Sequence, residues 1–163
     1  MTAEERAVRR DRMRFIKNSL SSNLAILGIL FDVFYFVNIY KSDVGTWYYS
    51  MIVGASIVYN LVFMLAVFLS SEGVKNYKQG YSYVLIALGL FQAARIFIIP
   101  MGARAAQVQV NGVATAVMQD GQFYRVAAYL VISGACLIAA AVVNLIRCRE
   151  LAEHLKTLDA QGA

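Results

Sequence analysis

The sequence predicts an all-α integral membrane protein built as a bundle of four transmembrane helices. Three observations predict it. Of 163 residues, 60% are hydrophobic and 15% charged, where soluble domains carry about 45–50% and about 25%. Mean hydropathy is +0.57 and the chain has one proline. The apolar residues gather into four runs, each near the ~20 residues that cross a ~30 Å hydrocarbon core. A disordered chain, a disulfide scaffold and an ordinary soluble enzyme are excluded by the same figures.

Residues 1–19 form a basic segment ahead of the first span. Thr2 and Glu5 have capping-box spacing, Glu5 and Arg9 form an i,i+4 pair, and Val8, Phe15 and Ile16 give a weak apolar stripe. A short helix on the cytoplasmic face is expected here. The first span is 20–40. Its apolar region is too long for a signal peptide, carries Asp32 and Asn38, and lacks a small-residue cleavage site, so it reads as a retained helix. The second span is 48–69, bordered by Trp47, Tyr48 and Tyr49 at one interface. The third is 81–100, with Tyr77, Tyr81 and Tyr83 at the opposite interface. Residues 101–122 form a long loop in which Asn111-Gly112 separates two alternating runs. That pattern predicts an extracytoplasmic β-hairpin with Val108 and Val110 facing Val113 and Thr115. The fourth span is 123–146. The tail, 147–163, keeps helical spacing at Leu151, Leu155 and Leu158, so the last helix is expected to run on into the cytoplasm and offer those leucines to a partner.

Lysine and arginine set the orientation. Eleven lie on the side of the termini and the 70–80 loop, and three on the other. The positive-inside rule then puts both termini in the cytoplasm. Short loops and the absence of an Asn-X-Ser/Thr sequon suggest a bacterial plasma membrane. The net charge of +5 comes from this flanking bias, so no nucleic-acid partner is expected; the expected partners are the lipid bilayer and a second subunit or copy.

The most informative residues are charges inside the spans. Asp32 and Arg95 lie twelve and fourteen residues into two helices of the same direction. At 1.5 Å per residue both sit roughly 18–21 Å from the cytoplasmic edge. A lone charge there costs ~2.5–3.5 kcal/mol on insertion scales, and opposite charges at one depth offset much of it. Gln92 is one turn before Arg95 and Tyr35 three residues after Asp32, while Asn60 on the second span can extend the cluster. The cluster is either a register-fixing salt bridge or the lining of an ion or solute site. Small residues (Gly54, Ala55, Ser56, Gly89, Ala93, Gly134, Ala135 and Ala139) are expected to let backbones approach. Leu24–Phe31 resembles Leu85–Phe91, and Ile52–Ala55 resembles Ile132–Ala135, which hints at tandem helical hairpins.

No nucleotide-binding glycine loop, HExxH or GxSxG motif occurs. The one histidine, His154, lies in the tail and the two cysteines, Cys136 and Cys148, form no CxxC. No catalytic set, metal site or cofactor is therefore expected. The sequence favours a non-enzymatic accessory or structural subunit of a larger membrane complex, with a small oligomeric transporter or channel as the alternative.

Overall fold

The computed structural model describes residues 16–39, 47–110 and 113–161. The expected N-terminal helix and its basic residues up to Arg14, the Asn111-Gly112 turn, and the side chains of Trp47, Tyr48, Tyr49 and Leu158 lie outside what it describes.

Among the described residues four helices are long and apolar enough to cross a membrane. They are α1 (Ser19–Ile39), α2 (Trp47–Lys75), α3 (Gln79–Ile98) and α5 (Asp120–Gln161); the short helix α4 (Pro100–Ala105) follows α3. Strands β1 (Gln107–Val110) and β2 (Val113–Ala116) pair antiparallel, with Val108 opposite Thr115 and Val110 opposite Val113. The helix α5 packs along both α1 and α3, and α2 touches both from the other side. Helices α1 and α3 therefore hold opposite corners of the bundle rather than adjacent ones.

These helices show almost no amphipathic contrast, because lipid-facing and core-facing positions are both apolar. The inward stripe is marked instead by small and polar residues at heptad spacing. On α1 it runs through Ser21, Ala25, Gly28, Asp32, Tyr35 and Ile39. On α5 it runs through Val126, Leu130, Ser133, Leu137, Ala140 and Asn144. Alternating steps of three and four are those of near-antiparallel helices crossing at about 20°. The outside carries the large apolar side chains, such as Val58, Leu61, Val62 and Leu65 on α2.

Close approach of α5 to its neighbours occurs at three glycines, Gly28, Gly89 and Gly134. A Cβ on Gly134 would meet the Gly89 carbonyl at 2.8 Å, and one on Gly28 would meet Leu137 Cδ2 at 2.8 Å. Here α5 lies backbone-to-backbone against α3 and side chain-to-backbone against α1. Five of the other six small residues expected to serve this purpose do not, Ser56 alone of the six being buried. Gly54, Ala55, Ala93, Ala135 and Ala139 are exposed, and a Cβ on Gly54 would touch nothing.

The link between α2 and α3 is shorter than the sequence suggested, because α2 stays helical through Ser70–Lys75. It stops in a Schellman arrangement: Lys78 N–H donates to Gly73 O at 3.2 Å and Tyr77 N–H to Val74 O at 3.1 Å. Tyr77 occupies the left-handed position at φ 58°, where glycine is usual. At the opposite end Pro100 opens α4, the residue type that cannot continue α3's hydrogen-bond ladder. The strands meet the helices through β2 and α4; Met118, 1% exposed, closes that end of the bundle.

Candidate functional site

Two polar layers cross the interior, and the first contains the charges singled out in the sequence. Asp32 and Arg95 reach across the bundle centre from α1 and α3, with Arg95 Nη1 donating to Asp32 Oδ1 at 3.3 Å. Their side chains are 0% and 4% exposed. Gln92 Nε2 donates to the same oxygen at 2.8 Å and to Ser133 Oγ at 3.2 Å. Ser133 in turn donates to Gly28 O at 2.8 Å. The carboxylate, amide and hydroxyl thus connect α1, α3 and α5 in one chain of hydrogen bonds.

Besides Asp32, four further side chains surround the guanidinium of Arg95. Nη1 also faces Gln92 Oε1 at 3.5 Å, and Nη2 donates to Ser56 Oγ on α2 at 3.3 Å. Its Cζ lies 4.3 Å from the Tyr35 ring centroid and 4.7 Å from that of Tyr59. Arginine suits this seat because its planar, weakly hydrated cation stacks on ring faces and forks to several acceptors.

Four of the five expected residues, Asp32, Arg95, Gln92 and Tyr35, come together here. Asn60 is wholly buried, yet neither its Nδ2 nor its Oδ1 has a hydrogen-bond partner. The Asn18 N–H to Lys75 O bond at 2.9 Å sets the register of α1 against α2. With equal rise along antiparallel helices, position 32 then faces position 61, so Asn60 lies at the level of Asp32. Asp32 Oδ2 and Arg95 Nε are also unpaired. Ser56, Tyr59 and Ser133 were not anticipated as site residues. Their signal was spacing: Ser56, Tyr59 and Asn60 share one helix face at i, i+3 and i+4.

The charged layer lies between two apolar ones. Towards the α4 end, Tyr35, Ile39, Met118, Phe123, Val126 and Leu130 form one cluster. Towards the α2–α3 turn, Ala25, Phe63, Val67, Leu85 and Leu137 belong to the other. Beyond the latter lies a second polar layer, unnoticed in the sequence. Asn18 caps α1 by accepting from Ser21 N–H at 3.4 Å, and its Nδ2 donates to Asn144 Oδ1 at 2.9 Å. Asn144 Nδ2 donates to Ser82 Oγ at 2.8 Å, and Ser21 Oγ to Ala140 O at 2.6 Å. All four polar residues, Asn18, Ser21, Ser82 and Asn144, are completely buried.

In the tail, α5 continues past the expected span to Gln161, leaving Leu155 exposed and Leu151 half-buried. Among the described residues no group of three or more His, Cys, Asp or Glu side chains could hold a metal. Cys136 and Cys148 are free thiols, and Cys148 donates to Tyr77 O at 3.2 Å.

No protein-family model matches the chain, and neither curated proteins nor solved structures give a significant match. The site therefore has to be read from its own geometry.

Proposed function

We propose that this chain is a non-enzymatic integral membrane protein serving as an accessory or structural subunit of a larger membrane complex. The observation that carries this reading is the closed Asp32–Arg95 pair, with a 0% exposed carboxylate and a 4% exposed guanidinium between two apolar layers. A conduction path needs a wet route to its charges. A dry, mutually neutralised pair serves instead to fix which helices meet and at what depth. The long α5, with Leu155 exposed on its extension, offers a surface for a second polypeptide. Both termini belong in the cytoplasm on the strength of eleven basic residues against three, and the short loops without an Asn-X-Ser/Thr sequon favour a bacterial plasma membrane.

Native mass spectrometry after gentle extraction from the source membrane tests the reading. Release together with a different polypeptide is the expected result. Release alone or as a homo-oligomer turns the assignment to the alternative, a small oligomeric transporter or channel. The unpaired atoms of Asp32, Asn60 and Arg95 favour that second reading, and solute flux in liposomes that disappears in Asp32 and Arg95 variants would establish it. Orientation is read separately, by fluorescence of a green fluorescent protein fused to the C-terminus, which matures only on the cytoplasmic side.

A further inference from the structure

The charged layer is bonded on some of its atoms and unmet on others. Asp32 Oδ1 accepts from Arg95 Nη1 and Gln92 Nε2, yet Asp32 Oδ2 and Arg95 Nε, on the same two groups, are buried with no partner. On α2, Asn60 leaves Oδ1 and Nδ2 unpaired as well. Three observations place Asn60 beside that pair. It is 0% exposed, on a helix that packs chiefly against α1 and α3. Its neighbours on the same face of α2 both reach Arg95: Ser56 Oγ accepts from Nη2 at 3.3 Å, and the Tyr59 ring centroid lies 4.7 Å from Cζ. The register fixed by the Asn18–Lys75 bond puts position 60 at the level of Asp32.

We propose that Asp32, Asn60 and Arg95 hold one buried water molecule between α1, α2 and α3. The unmet atoms match its valences. Asp32 Oδ2 and Asn60 Oδ1 can each take one of its hydrogens, and Arg95 Nε and Asn60 Nδ2 can each donate to its oxygen. Buried waters typically make about three such bonds, to groups that otherwise have none. Charge selects a neutral occupant. Asp32 and Arg95 already balance each other at 3.3 Å, so an added ion of either sign would stand in hydrocarbon without a counter-ion. Enclosure selects a small one: the atoms that would bind it are buried in the bundle, and an organic solute would have to part the helices to reach them. The water ties α2 into the layer that already joins α1, α3 and α5. One sealed molecule between two apolar layers is not a conduction path, so the site goes beyond the structural-subunit reading without depending on a partner.

X-ray radiolysis of the full chain in nanodiscs tests this. Radiation splits bound water, and the hydroxyl radical oxidises the side chains beside it before it can diffuse away. Phe63 is the reporter, being 2% exposed and one turn from Asn60, and the exposed Tyr83 is the control for bulk water. Oxidation of Phe63 is expected in the native chain. Asn60→Leu removes a donor and an acceptor together, and is expected to lose the Phe63 label while Tyr83 keeps its own. Should that variant fail to fold, Asn60→Met fills the same place with an unbranched side chain. On rapid mixing with heavy-oxygen water, Tyr83 is expected to carry the heavy label at once and Phe63 only after a delay. A native chain without label on Phe63, a label that persists in the folded Asn60 variants, or heavy oxygen reaching Phe63 as fast as Tyr83 overturns the proposal. Absence of a partner polypeptide in native mass spectrometry leaves these readouts untouched, so the two ideas fail separately.

Discussion

Replacing Asp32 with Asn keeps the side chain's shape and removes its charge. The Gln92 Nε2 bond at 2.8 Å survives as a neutral one. Arg95, 4% exposed, then keeps Ser56 and the Tyr35 and Tyr59 rings but loses its counter-ion. Removing one member of a buried ion pair costs ~3–5 kcal/mol, because the remaining charge stays desolvated. The two ring faces, worth about 0.5–2 kcal/mol each, hold the guanidinium in place, so the lower end, ~3 kcal/mol, is expected. For a chain of this length that lowers the melting temperature by roughly 6–12 °C. Thermal unfolding of the purified variants in nanodiscs, followed by intrinsic fluorescence, measures it. The companion Arg95→Gln alone should also destabilise. Both changes together should leave the protein about 1–2 kcal/mol more stable than the weaker single variant, since no naked charge remains. The full charge swap, Asp32→Arg with Arg95→Asp, should recover less than this neutral pair. Ser56 and the rings of Tyr35 and Tyr59 surround a guanidinium that reaches out from α3, not from α1. A melting temperature for Asp32→Asn within 2 °C of the native one, or strict additivity in the double variant, would refute the argument.

Further outcomes follow from the packing. Gly134→Ala places a methyl 2.8 Å from the Gly89 carbonyl, so α3 and α5 must separate, and a loss of about 1–3 kcal/mol is expected in the same unfolding assay. Gly54→Ala meets nothing and should be neutral or stabilising by up to ~1 kcal/mol through helix propensity; a clear loss there would show that the exposed face of α2 is covered. Asn144→Ala strips partners from Asn18 and Ser82. At about 0.6 kcal/mol per interhelical bond it should cost ~1–2 kcal/mol and speed amide exchange at the start of α1. Asn60→Leu takes two bonds from the water held beside it and should lower the melting temperature; a rise would show that its two buried polar atoms were simply unmet.

How much was legible before the structure depends on the physics of each feature. Transfer into lipid is a local and nearly additive property, so four runs of apolar residues sufficed for four helices long and apolar enough to span, while α2 and α5 run past the expected borders to Lys75 and Gln161. A constant rise of 1.5 Å per residue was enough to put Asp32 and Arg95 at one depth, and the high cost of a lone charge there argued that they meet.

Which face of each helix turns inward was a different matter. Lipid tails are as apolar as leucine, so hydropathy does not separate core from surface in a membrane bundle. The inward stripe is chosen by shape and hydrogen bonding, which are properties of two or three helices at once. Only the tertiary structure decides that Gly28, Gly89 and Gly134 take the close contacts while Gly54 and Ala93 face out. It decides that Ser56 and Ser133 join the charged layer, and that Asn18 and Asn144 build a second one. It leaves Asn60, at the right depth and on the right face, without a protein partner. Depth is written in the residue number; partnership depends on how far each helix is turned about its axis, and that angle is settled only when all four pack together.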